Sequence, residues 1–441
     1  MTDRLSHIAA RVTDDRNRAI DVARAAAVLI VCVGHWLMQV IHVTPDGDLR
    51  RAGLLNHVEW AHPLTWVLQV MPIFFLAGGY SNALSWRRAR AESVTYGAWL
   101  HTRTRRLTMP LLPLLLFWTL VAPAAGLLGL GEDWLRIASR ASLVPLWFLA
   151  VYLVVVAVAP LSLAAWERWG FATIAAGIAL AALTDLISIS TDNFAVGTLN
   201  LAFVWVTVHQ LGYAWLDGRL DGTARRLALM LGSFVALVVL VVWGPYATSM
   251  VGVSGFGVDN ALPPRVTLLF LGLWQTGMIL LFEARLQRFA RRPRVWLATV
   301  AIEARLMTIY LWHMVALGLT VAVAWWIGWG LAAQPQTAAW WWGRAAWIPI
   351  LAVVTVLVCG VVGRFENPLS TRPQISTSYA VTDVVIVTVG VALMAWFGLV
   401  HDGRVLWGLP LVTLVALLAT VRHARRADEP ALLPTQPRRP R

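Results

Sequence analysis

Arg24 and His35 lie inside the first long apolar run of the chain, which reads Arg18-Ala-Ile-Asp21-Val-Ala-Arg24 and continues to Gly34-His35. Their separation is eleven residues (35 − 24 = 11), about three turns at roughly 100° per residue, so a helix carries both on one face about 16 Å apart. Asp21 lies a turn before Arg24 on nearly the same stripe, and Gln39 and His42 extend it past His35. An ionisable side chain in a spanning helix costs at least a few kcal/mol unless it faces a cavity or a partner. A stripe of them implies a wet interior pathway. Imidazole suits such a place as a base or nucleophile near neutral pH. The plainer alternatives are a core histidine satisfied by a neighbouring helix and an intrahelical ion pair of Arg24 with Asp21.

Later segments hold further candidates. Tyr310-Leu-Trp-His313 sits in another apolar run. If that helix starts near Leu297, His313 lies about as deep as His35, and the two could converge on one cavity; an interfacial aromatic belt with a structural histidine is the alternative. Trp147 reads as a packing or interface aromatic, with lining of an acceptor entrance as its functional alternative. His209-Gln210 and Gln275 read as groups that hydrogen-bond between helices. His57, Glu59 and His62 have a generic spacing that does not argue for a metal. No phosphate-binding loop, dinucleotide fingerprint or His-Glu-x-x-His motif is present, so no metal cofactor is expected.

The chain must position these groups with membrane helices. It has 441 residues, 59% hydrophobic and 13% charged, with a mean hydropathy of +0.67. Repeated apolar runs of about 20 residues read as transmembrane helices, which excludes an ordinary soluble domain. The expected fold is all-α, a polytopic bundle of about twelve spans near 19–42, 64–86, 107–128, 145–165, 170–189, 197–216, 226–245, 266–284, 297–328, 346–363, 379–399 and 405–421. A net charge of +13 would suggest nucleic acid in a soluble protein. Here the basic residues, all arginine, cluster in alternate connections, as the positive-inside rule expects, and no nucleic-acid partner is implied. Both termini are therefore expected in the cytoplasm, with the cell membrane as the location. Cys32 and Cys359 fall in apolar spans, which excludes a disulfide framework. The first span is too long and too charged for a cleaved signal peptide. The expected organisation is a cytoplasmic segment 1–18, a membrane domain 19–368, a further two-span hairpin 369–421 and a basic disordered tail 422–441. Gly34 and Gly78-Gly79 are expected where the first two spans pack closely.

Five stretches taken together resemble the acyltransferase-3 family of integral membrane acyltransferases: Arg18-x-x-Asp21-x-x-Arg24 with His35, Met71-Pro-Ile-Phe-Phe-Leu-Ala-Gly-Gly-Tyr80, Arg103-Thr-Arg-Arg106-Leu-Thr-Met-Pro110, Leu146-Trp-Phe-Leu149 and Tyr310-Leu-Trp-His313. The family's Phe-Phe-x-x-Ser-Gly is here Phe74-Phe75-Leu-Ala-Gly78-Gly79, without the serine, and its Ser-Tyr before Tyr-Leu-x-His is here Leu306-Met307. The resemblance covers about the first ten spans. It implies transfer of an acyl group, acetyl above all, from cytoplasmic acyl-coenzyme A to a hydroxyl of an extracytoplasmic glycan, glycolipid or other lipid acceptor, with membrane lipids as surroundings. His35, Arg24, Asp21 and His313 would then be catalytic. Arg103 and Arg106 would clamp the donor's phosphates, where a guanidinium fork suits the geometry, and Trp147 and Tyr310 would line the binding site. A different class stays open on the residues alone, a secondary transporter with a proton relay through His35, Asp21 and His313.

Overall fold

The computed structural model describes residues 17–44, 49–127, 132–253, 255–366, 375–401, 404–406 and 408–428. Residues 1–16 of the expected cytoplasmic segment and the end of the basic tail, 429–441, lie outside them. Among the described residues nine helices are long and apolar enough to cross a membrane, or eleven if each of two bent pairs is one span, and Gly408–Leu418 is a shorter apolar helix. The protein is an all-α polytopic membrane bundle. Its α-helices of more than four residues are α1 (Arg18–Met38), α2 (Met71–Ala91), α3 (Tyr96–Thr108), α4 (Leu111–Leu127), α5 (Glu132–Leu143), α6 (Leu146–Trp169), α7 (Phe171–Ser190), α8 (Asn200–Leu216), α9 (Thr223–Trp243), α10 (Val266–Leu281), α11 (Glu283–Ala290), α12 (Pro293–Glu303), α13 (Leu306–Trp326), α14 (Ala338–Val362), α15 (Thr377–Phe397) and α16 (Gly408–Asp428).

Three boundaries differ from the expected ones, each for a local reason. The first span stops at Met38, and the chain continues as strand β1 (Gln39–Val43), paired antiparallel with β2 (Leu49–Gly53). The β-branched Val40, Ile41 and Val43 favour that extended backbone, and His35 consequently lies in the last turn of α1 rather than mid-span. The third span starts at Tyr96, where Thr95 caps α3 by accepting from the Ala98 N–H. Arg103 and Arg106 therefore sit within a helix rather than on a loop. Pro110 supplies no N–H and ends α3, and the chain resumes in α4 at an angle of 49°. The ninth window splits at Ala304–Arg305 into α12 and α13.

α2 is the central helix. It packs on α8, α10, α6 and α1. The expectation that Gly34 and Gly78-Gly79 join the first two spans is corrected. A Cβ on Gly34 would meet nothing, whereas one on Gly79 would overlap the His209 carbonyl, and one on Gly212 would overlap Leu76 and Tyr80 backbone atoms. The close crossing is thus α2 on α8, glycine to glycine, and Gly78 makes room for the Tyr152 ring. Aromatic side chains fill the core beside it: Phe75 stacks on Trp205 at 4.4 Å, and Phe148 stacks on Tyr152 at 5.4 Å. The α15–α16 hairpin lies on the outside of this core, α15 against α6 and α3 and α16 against α4.

Candidate active site

α1 packs on α13, α12 and α2, and two polar rungs join α1 to α12 and α13. At the first rung the Arg24 guanidinium donates through Nε to Glu303 Oε1 at 2.8 Å and through Nη2 to Glu303 Oε2. Asp21 Oδ1 is 3.8 Å from Arg24 Nη2. The intrahelical pair exists, but the fork-to-fork partner is Glu303, which the sequence reading missed. A signal was there: Glu303 is the carboxylate in the ninth apolar window, ten residues before His313 (313 − 303 = 10). Arg24 precedes His35 by eleven, so two segments running the same way align acid with base and histidine with histidine.

At the second rung His35 Nδ1 lies 2.8 Å from His313 Nε2, with the rings 5.1 Å apart and nearly parallel. His313 Nδ1 is 2.6 Å from the Tyr310 carbonyl. A carbonyl only accepts, so His313 Nδ1 carries the hydrogen, and neutral His313 accepts at Nε2. His35 then donates from Nδ1, and its Nε2 keeps a bare lone pair. This assignment follows from the hydrogen-bond network. His35 Nε2 has no hydrogen-bond partner among the described residues and is not among the side-chain atoms sealed from solvent. Trp36 tightens the same junction by donating from Nε1 to the His313 carbonyl at 3.0 Å. His313 itself is fully buried.

The remaining expected residues separate. Arg103 points into the bundle and donates through Nε to Asn82 Oδ1 at 3.1 Å. That orients the amide so that Asn82 Nδ2 donates to His209 Nε2 at 3.1 Å, which makes His209 the helix-to-helix group it was expected to be. Asn82 was not singled out in the sequence. Arg106, one turn on, is exposed. Arg103 lies within electrostatic reach of Arg24, Arg106 and Tyr152, and its hydrogen bonds among the described residues go to neutral Asn82. Tyr310 is buried, and its hydroxyl donates to the Pro145 carbonyl at 2.7 Å, so it braces the start of α6 while its own carbonyl fixes His313. Trp147, half-buried, packs near Trp205 at 6.2 Å. Gln210 and Gln275 also bond across helices, to Ser162 and to the Trp66 and Gln69 carbonyls. Among the described residues no group of three His, Cys, Asp or Glu could hold a metal. His62 instead bonds the Leu55 carbonyl.

Residues 17–364 match the family described as Acyltransferase domain, the acyltransferase-3 family. The chain belongs to this family. The match runs from the cap of α1 to the end of α14 and so includes both rungs and Arg103; α15 and α16 follow it. Membership makes the protein a multi-pass membrane acyltransferase in general terms. No curated protein and no solved structure matches the chain.

Proposed function

We propose that this family member moves an acyl group, acetyl in the first instance, from cytoplasmic acyl-coenzyme A to a hydroxyl of an extracytoplasmic glycan or glycolipid, with both termini of the chain in the cytoplasm. The supporting observation is the bare Nε2 of His35, held in place by His313. In the reaction that nitrogen takes the proton of the acceptor hydroxyl as its oxygen bonds to the thioester carbonyl carbon. The C–S bond then breaks, and the leaving thiolate takes the proton back from His35. While His35 is protonated, its Nδ1–H still points at His313 Nε2, so the second ring shares the positive charge at the moment it develops. Transfer through an acyl group carried on His35 would use the same nitrogen.

The donor is a large anion that has to meet cations at the α3 end. Arg24 is neutralised by Glu303 and Asp21, whereas Arg103 has no carboxylate within 4 Å among the described residues and remains available to a phosphate. The roughly 16 Å between the rungs is then the distance from phosphate-binding end to reacting centre along α1. Ester-linked acyl groups on envelope and secreted glycans and lipids, compared in cells with and without the gene, test this reading. It expects one ester class to vanish with the gene. An unchanged ester profile contradicts it.

A further inference from the structure

The tyrosines of the bundle differ in what their hydroxyls do. Tyr96 donates to the Ala157 carbonyl, Tyr213 to the Ala159 carbonyl, Tyr246 to Asp185 and Tyr310 to the Pro145 carbonyl. Tyr152, in the second turn of α6, has no such partner among the described residues, and its Oη is not among the side-chain atoms sealed from solvent. A phenol inside a membrane bundle ordinarily finds an acceptor, because a hydroxyl left unpaired there is costly.

The ring that carries this hydroxyl is held in place. It stacks on Phe148 at 5.4 Å and meets Phe75 edge-on at 5.7 Å. Gly78 of α2 lets it approach: a Cβ there would lie 2.5 Å from Tyr152 Oη and 2.8 Å from its Cε2. The family's motif carries serine at this position, where this chain has glycine. A side-chain hydroxyl from α2 and the tyrosine hydroxyl cannot share that space, and here the hydroxyl comes from α6.

Contacts on either side give its level in the bundle. On α2, Asn82 accepts from Arg103 and stands four residues from Gly78, about 6 Å along the axis. In the other direction Phe74 and Phe75, a turn beyond Gly78, both touch Phe148, and Phe148 meets the Tyr310 ring at 5.3 Å. The Tyr310 carbonyl is the one that fixes His313. Tyr152 Oη therefore lies between Arg103 and the histidine pair, one turn in from the Arg103–Asn82 bond. Arg24 and Arg103 are both within electrostatic reach of it, as that position requires.

We infer that Tyr152 binds the pantetheine arm of the donor, its hydroxyl donating to an amide carbonyl of the arm while the thioester extends towards His35. The inference rests on the acyl-transfer reading above and adds the residue that recognises the arm. Acyl-coenzyme A carries its charge at the phosphate end and its reactive carbon at the other. The arm between them is uncharged, and its amide groups give up water on entering the bundle. A phenol placed between the two ends replaces one of those hydrogen bonds without adding charge.

The test titrates acetyl-coenzyme A and, separately, adenosine 3′,5′-bisphosphate, which keeps phosphates of the donor and lacks the arm, against the full chain in nanodiscs. Wild type, Tyr152→Phe and Gly78→Ala are compared. Tyr152→Phe keeps the ring and its aromatic contacts, and should bind acetyl-coenzyme A about three- to tenfold more weakly, with bisphosphate affinity and melting temperature unchanged. Gly78→Ala, whose Cβ pushes the phenol aside, should show the same selective loss. Unchanged acetyl-coenzyme A affinity in Tyr152→Phe overturns the inference. Equal weakening of both ligands overturns it too, because the hydroxyl would then serve the fold or the phosphate end. Failure of acetyl-coenzyme A to bind wild type is the separate failure of the acyl-transfer reading.

Discussion

At the scale of single residues, the site is a set of buried charges, each with a definite consequence when a partner is removed. Glu303→Ala leaves the Arg24 guanidinium facing only Asp21 and should destabilise the protein by about 3–5 kcal/mol, the usual cost of stranding one half of a buried pair. Thermal unfolding in detergent measures this, and Arg24→Met combined with Glu303→Leu should recover most of the loss. An unaltered melting temperature in Glu303→Ala would mean that the fork does not hold α1 to α12. Arg103→Ala should weaken acetyl-coenzyme A binding by about 1.5–3 kcal/mol while the protein stays folded, since it removes one charge-assisted contact to phosphate. Isothermal titration decides that point, and unchanged affinity would confine Arg103 to ordering Asn82 and His209. The Arg24–His35 spacing was legible in the sequence because helical periodicity fixes it. The pairing of Arg24 with Glu303 was not, because it joins positions 279 residues apart, and periodicity within one helix says nothing about which neighbour it meets. Tyr310 was expected to line the binding site, whereas its hydroxyl is used on the Pro145 carbonyl and its backbone oxygen is what reaches His313.

At the scale of elements, hydropathy finds helices well and their ends poorly. All twelve expected apolar segments correspond to helices, the last of them in α16, yet the strand after Met38 and the breaks at Pro110 and Ala304–Arg305 were absorbed into longer windows. Apolar β-branched residues raise a hydropathy average equally well in a strand and in a helix. The glycines show the same limit from the packing side. Small residues mark close approach in membranes, but only the structure shows that Gly79 faces Gly212 and that Gly34 faces open space. Accordingly Gly79→Val and Gly212→Val should each sharply reduce the yield of monodisperse protein, because α2 and α8 would have to separate, while Gly34→Ala should leave it unchanged. Size-exclusion profiles of the three variants give the comparison, and a normal profile for Gly79→Val would show that the crossing is not a close one.

At the scale of the whole molecule, the proposed reaction needs two sides: a donor-binding end at α3 and an acceptor-binding end above α1. Single cysteines in a chain lacking Cys32 and Cys359 read that sidedness. Arg51→Cys should react with a membrane-impermeant maleimide added to intact cells, and Arg285→Cys should react only after the membrane is opened. Labelling of both from outside would remove the assigned topology. The most direct test of the central claim is a transfer assay with His35→Ala. Cells are supplied with labelled acetyl groups, ester-linked label in the envelope is counted, and the inserted protein and its affinity for acetyl-coenzyme A are measured in the same strain. Loss of the label in His35→Ala, with insertion and donor affinity kept, is the predicted result, because the variant lacks only the nitrogen that moves the proton or the acyl group; label at the wild-type level would contradict it.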